Sequence, residues 1–192
     1  MLVGFTDFSG NPFVPLSAMQ ILWINLASDG LPAIALGVDP ISPEVMRHPP
    51  RKPSDSIISR YKALHLLLIN IIIAVGTLAA CYFGIHKSGE LAQTMSFTTL
   101  VILELVAVQI IRSQFSTRFF SNPLIHAAIT TSSLLLLSIV YTPFLQRIFN
   151  TVPLNTRDWG IIAAITFVAW ILCSLINRFL KCFYSFYHYH TI

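Results

Sequence analysis

Charge is what this chain has least of: only 10% of its 192 residues are Asp, Glu, Lys or Arg. A soluble domain is nearer one quarter charged, so these side chains cannot cover a globular surface, and membrane is the default solvent. Cysteine is also sparse. Cys81, Cys173 and Cys182 lie in or at the ends of apolar runs without paired spacing, which argues against a disulfide framework and a zinc site. There is no internal repeat and no basic patch. The net charge is +4, but the basic residues fall between apolar runs, whereas nucleic-acid binders gather theirs on one face. The first apolar run is not a cleaved signal peptide, because Asp29 lies within it and further spans follow.

What the chain has is hydrophobic length. Hydrophobic residues make up 55% of it, and the mean hydropathy is +0.71. A spanning helix needs about 20 mostly apolar residues, and five candidates appear, at about 16–38, 63–85, 95–111, 124–145 and 159–179. The expected fold is an all-α, polytopic membrane bundle whose spans pack antiparallel across short connections. Residues 1–15, with Pro12 and Pro15, read as an extracytoplasmic loop or the end of a preceding helix. Residues 16–192 read as one transmembrane domain. The segment 39–54 holds Pro40, Pro43, Pro49, Pro50 and Pro53, which rule out a long helix. It reads as a basic extended loop, or as a strap that docks on something cytoplasmic.

Five spans put the termini on opposite sides, and the positive-inside rule chooses between the two orientations. Arg47, Arg51, Lys52, Arg60, Lys62, Arg112, Arg118, Arg178 and Lys181 share one side, while Lys87, Arg147 and Arg157 share the other. The richer side should be cytoplasmic. The chain then has an extracytoplasmic N-terminus and a cytoplasmic C-terminus, as a multi-pass protein of the lipid bilayer (the cell membrane, in a prokaryote).

Of the eight acidic residues, only Asp29 and Glu104 fall inside spans. An intramembrane acid is costly and marks a functional site by default. Asn25, Ser28 and Asp29, spaced i, i+3 and i+4, place three oxygen-bearing side chains on one helical face. Gly30 and Pro32 follow. Pro32 cannot donate to the Ser28 carbonyl, so the first helix should unwind near Asp29-Gly30-Leu31-Pro32 and free carbonyls there, a feature tolerated where backbone lines a cavity or meets an ion. Hard oxygen donors of this kind suit Ca²⁺ or another hard cation. Asn25, Ser28, Asp29 and Glu104 supply at most about six of the six to eight oxygens that Ca²⁺ takes. The other reading is an interhelical hydrogen-bonded network with Asp29 protonated. Gln109 points away from Glu104 on an ideal helix and reads as a packing residue. His65 and His126 read as interfacial, and the C-terminal FYSFYHYH as an aromatic anchor.

Residues 15–51, PLSAMQILWINLASDGLPAIALGVDPISPEVMRHPPR, closely resemble the sixth membrane helix and following loop of P-type Ca²⁺-transporting ATPases of the sarcoplasmic-reticulum and bacterial kind. The family pattern is roughly QxLWxNLxTDGLPAxALGxxPxxxxxMxxPPR, matched here from Gln20, Trp23 and Asn25 through Asp29 to Pro49, Pro50 and Arg51. Thr94-Met95 ahead of Glu104 resembles the eighth membrane helix more weakly, and the remaining hydropathy fits helices seven, nine and ten. The resemblance implies that Asn25 serves a second Ca²⁺ site, that Asp29 bridges two sites, and that Ser28 and Glu104 serve the first. Ser28 stands where the family has Thr, keeping the hydroxyl and losing a methyl.

The resemblance also defines what is missing. The DKTG phosphorylation motif, the TGES loop, the PEGL motif of the fourth helix, the fifth-helix ligands and a nucleotide-binding domain do not occur. The chain is therefore expected to be the C-terminal membrane part of a calcium-type pump, with no catalytic or cofactor-binding residues of its own and no ATP hydrolysis alone. ATP and Mg²⁺ would act only through the other domains, and the main partner would be the rest of the pump, in the same or a separate chain. Two further readings are a non-catalytic scaffold or regulator derived from such a pump, and a stand-alone cation channel or exchanger.

Overall fold

The structure is a computed structural model that describes residues 5–6, 12–39, 60–113 and 121–189. The proline-rich segment from 40 to 59 lies outside the described residues. So do the side chains of the C-terminal aromatic run. Near the N-terminus, β1 (Phe5–Thr6) and β2 (Pro12–Phe13) form a two-residue antiparallel pair. Among the described residues, the elements after it are all helices: α1 (Ala18–Trp23), a π-helical segment (Ile24–Ser28), α2 (Gly30–Gly37), α3 (Arg60–Ile85), α4 (Gly89–Arg112), α5 (Pro123–Tyr141), α6 (Pro143–Phe149) and α7 (Thr156–Tyr189). Among the described residues, five stretches are long and apolar enough to cross a membrane: 18–37, 62–85, 89–112, 123–141 and 156–179.

Three boundaries differ from the hydropathy reading, each for a local reason. The third span starts at Gly89 rather than Met95, because Ser88 caps it by accepting from the Leu91 N–H at 3.1 Å. Of the polar residues in the added stretch, Gln93 and Thr94 are buried while Glu90 is exposed. Thr94 and Ser96 donate back to the Glu90 and Ala92 carbonyls, at 2.9 and 2.7 Å, and Thr98 and Thr99 are fully buried. The fourth span ends at Tyr141. Pro143 has no N–H to give the Ile139 carbonyl, which accepts from the Thr151 hydroxyl at 3.0 Å instead. The short α6 that follows closes on Asn150, whose φ of 55° is the left-handed cap expected at a helix end. The fifth span begins three residues early, at Thr156, where Asp158 accepts from the Asn155 N–H and from Lys87 Nζ.

The central element is α4. Its spanning window is 61% buried, against 17–28% for the other four. It packs on α3 and α7 along one side, and on the π-helical segment and α5 along another. Phe97, Met95 and Val101 of α4 are sealed in the main core with Ile162 of α7 and Val140 of α5. Trp23 meets the Phe97 ring edge-on at 5.6 Å. Helices α3 and α4 cross closely at Gly84, where an added Cβ would lie 2.5 Å from the Ala92 Cα. The large exposed residues, such as Leu67, Leu78, Phe167 and Leu175, face outward from the bundle, as lipid contact requires. Cys81 and Cys173 are free and buried, acting as small apolar residues.

Candidate functional site

The α1–α2 span is not a continuous α-helix. Its break begins at Ile24, before the predicted unwinding point. The Asp29 N–H reaches back five residues to the Ile24 carbonyl at 2.9 Å, and the normal pattern resumes when Ala33 donates to the Asp29 carbonyl at 3.0 Å. Pro32 supplies the cause: residue 28 has no donor four positions on, so the helix widens by one residue upstream instead of ending. π-bulges of this kind occur often at functional sites. The Ala27 carbonyl accepts from the Ser132 hydroxyl of α5 at 3.0 Å.

The widened turn sorts the expected site residues. Ser28 is buried and donates from Oγ to Oε2 of Glu104 at 3.3 Å. Glu104 is half-buried on α4, and Asp29 lies within electrostatic reach of it. Asn25 and Asp29 are exposed on the open side of the same segment. The structure thus brings Ser28 and Glu104 into contact and presents Asn25 and Asp29 beside them on an uncovered face. Gln109 lines a cleft between α4, α5 and α7 with His126, away from this group. His65 is buried near the N-terminal end of α3. Among the described residues, no three of His, Cys, Asp or Glu come together in a cluster that could hold a metal.

The sequence reading missed a second polar group, at the far end of the same two elements. Arg112 is the last residue of α4 rather than a loop residue, and it is only 3% exposed. Its guanidinium grips Asp39 through Nε at 3.0 Å and Nη2 at 3.0 Å, and Nη2 also donates to Ser121 Oγ at 2.6 Å. Asn122 donates to Asp39 at 3.1 Å and to the Ala35 carbonyl at 2.8 Å. That carbonyl lacks its usual partner, because the Asp39 N–H bonds Leu36 instead. Hydrogen bonds from Arg112, helped by Asn122, hold the Asp39 carboxyl below its usual range against the opposing effect of burial. The only signal in the sequence was an acid just past one span and a base ending another. At the other end of the α1–α2 span, Gln20 is fully buried. It donates to the Phe149 carbonyl at 3.0 Å, and its Oε1 accepts from Ser17 N–H in a capping box.

The sequence is similar to named proteins along most of its length. The family described as "Cation transporting ATPase, C-terminus" matches residues 13–179. A calcium-transporting ATPase of Bacillus subtilis is 36% identical over 173 residues, which cover 86% of this chain and 19% of that protein. Calcium-transporting ATPase 1 of Yarrowia lipolytica is 36% identical over 87% of this chain and 19% of its own length. Calcium-transporting ATPase type 2C member 2 of Mus musculus is 34% identical over 87% and 18%. The chain spans about a fifth of the length of these relatives. With five membrane-length helices and a family match from Phe13 to Phe179, it belongs to the C-terminal membrane domain family of the cation-transporting ATPases.

Proposed function

We propose that this chain supplies part of the intramembrane cation site of an ATP-driven pump, with Ca²⁺ as the transported ion and Asn25, Ser28, Asp29 and Glu104 as its oxygen ligands. The observation that carries this reading is the exposed Asp29–Asn25 face on a π-helical segment that touches Glu104 through Ser28. A charged residue facing hydrocarbon at mid-span costs about 3 kcal/mol on insertion scales, so this face belongs against protein, water or an ion. The relatives are calcium-transporting ATPases by name. Ca²⁺ takes six to eight oxygens, more than these four residues give, so the remaining ligands come from other parts of the pump. ATP and Mg²⁺ act in those parts too, in the same or a separate chain.

The chain sits with its N-terminus extracytoplasmic and its C-terminus cytoplasmic. The distribution of Arg and Lys supports this orientation. Lys62 at the N-terminal end of α3, Arg112 at the C-terminal end of α4 and Arg178 at the end of the 156–179 stretch share one side, while Lys87, Arg147 and Arg157 lie at the opposite ends. ATP-driven Ca²⁺ uptake into inside-out vesicles carrying the assembled pump tests the assignment. Uptake that Asp29→Asn abolishes is the expected result, and uptake unchanged by it would remove Asp29 from the site.

A further inference from the structure

We propose that Asp39, Arg112 and Asn122 form the positioning device of the ion site. They fix the register of the α1–α2 span against α4, and so set how Ser28 and Asp29 face Glu104. This inference rests on the reading of those residues as ligands.

Apolar packing aside, among the described residues one side-chain hydrogen bond joins the two ligand-bearing elements at the site itself, the 3.3 Å contact between Ser28 and Glu104. A π-helical segment with a proline four residues beyond its end is a soft joint, because the carbonyls there are not held by the regular ladder. Left alone, α2 could turn or slide relative to α4, and a shift of one residue along a helix is about 1.5 Å. The joint is held from both ends. On one side Gln20 is tied to the Phe149 carbonyl. On the other, the Arg112 fork grips Asp39 while Asn122 bonds both Asp39 and the Ala35 carbonyl in the last turn of α2.

Arg112 stands eight residues after Glu104, about 12 Å along one straight helix, so α4 carries the constraint rigidly to the carboxylate. The fork matters as much as the charge. A guanidinium bonding a carboxylate through two nitrogens fixes direction as well as distance, which an ammonium cannot do. Arg112 is also almost wholly buried, so water cannot loosen the pair as it would on a surface.

The test is made on the full pump, reading the Ca²⁺ concentration for half-activation together with the maximal rate. Arg112→Gln is expected to raise the half-activating concentration about tenfold while leaving the maximal rate within about twofold, as misplaced rather than missing ligands would. Arg112→Lys should recover part of the loss, and Arg112→Gln combined with Asp39→Asn should be no worse than Arg112→Gln alone. If Arg112→Gln does not accumulate in the membrane, Asp39→Asn, which keeps the side-chain shape, carries the test with a smaller shift in the same direction. Wild-type half-activation in these variants, with Asp29→Asn impaired in parallel, overturns the positioning role and leaves the ion site standing. So does a matched loss of affinity and maximal rate that Lys does not relieve. Wild-type half-activation in Asp29→Asn itself removes the ion-site reading, and this inference with it.

Discussion

Two polar clusters sit on the same pair of elements, one at mid-span and one at the end, and they differ in how fully their atoms are satisfied. At the end, Arg112, Asp39, Ser121 and Asn122 make short mutual bonds, and the buried guanidinium meets a carboxylate. At mid-span, Ser28 and Glu104 share one long contact, and Asn25 and Asp29 look outward. Buried polar groups in a finished structure are paired. The first cluster is finished within this chain and behaves as a fastener. The second is open toward whatever else occupies the membrane beside it. The amount of satisfaction, more than the residue types, separates the structural cluster from the functional one.

The largest effect that sharpens this contrast belongs to Asp29. Asp29→Asn should weaken Ca²⁺ binding by the assembled pump on the order of 100-fold, because affinity for Ca²⁺ follows ligand charge. Equal losses in Asp29→Asn and Glu104→Gln would blur the ranking. Asp158→Ala should do the opposite. Asp158 is fully buried and bonded to Lys87 at 2.6 Å and to the Asn155 N–H at 3.2 Å. Removing it should cost about 2 kcal/mol of stability, read as a lower thermal unfolding midpoint, with Ca²⁺ half-activation unchanged. A shift in Ca²⁺ response would show that finished clusters also tune the site. Glu104→Gln comes next, expected to weaken Ca²⁺ binding about tenfold, since it keeps one oxygen and loses the charge.

The smallest effect is the pH dependence of the end cluster. Arg112 lowers the folded-state value of Asp39 below its ordinary 3.8. Its contribution is therefore complete above that value and fades only as pH falls through the lower folded-state one. The stability difference between wild type and Asp39→Asn should stay flat between about pH 7 and about pH 5 and shrink only in stronger acid. A difference that already shrinks across that upper window would mean the Arg112 fork is not what holds Asp39.

Much of this architecture was legible because a bilayer leaves few choices: long apolar runs must be helices, and the five spans emerged from hydropathy with shifted ends. Asp29 and Glu104 stood out because acids are rare in hydrocarbon. The break in the first helix was legible from Pro32, though its form was not. A missing donor leaves open whether the helix ends or widens, and packing of the Ala27 carbonyl on Ser132 accompanies the second outcome. The start of α4 was hidden because Glu90, Gln93 and Thr94 look polar in a hydropathy window, although Gln93 and Thr94 are buried between helices. Arg112 was read as a loop charge for a similar reason. Only the fold brings it to Asp39, 73 residues away in sequence.

Equilibrium binding of radiolabelled Ca²⁺ to the assembled pump without ATP addresses the open cluster most directly. If Asn25 and Asp29 form a half-site that the rest of the pump completes, Asn25→Ala and Asp29→Asn will each lower the Ca²⁺ bound at a concentration that saturates the wild type. Wild-type binding in Asp29→Asn would contradict that account and return the mid-span cluster to the role of a helix contact.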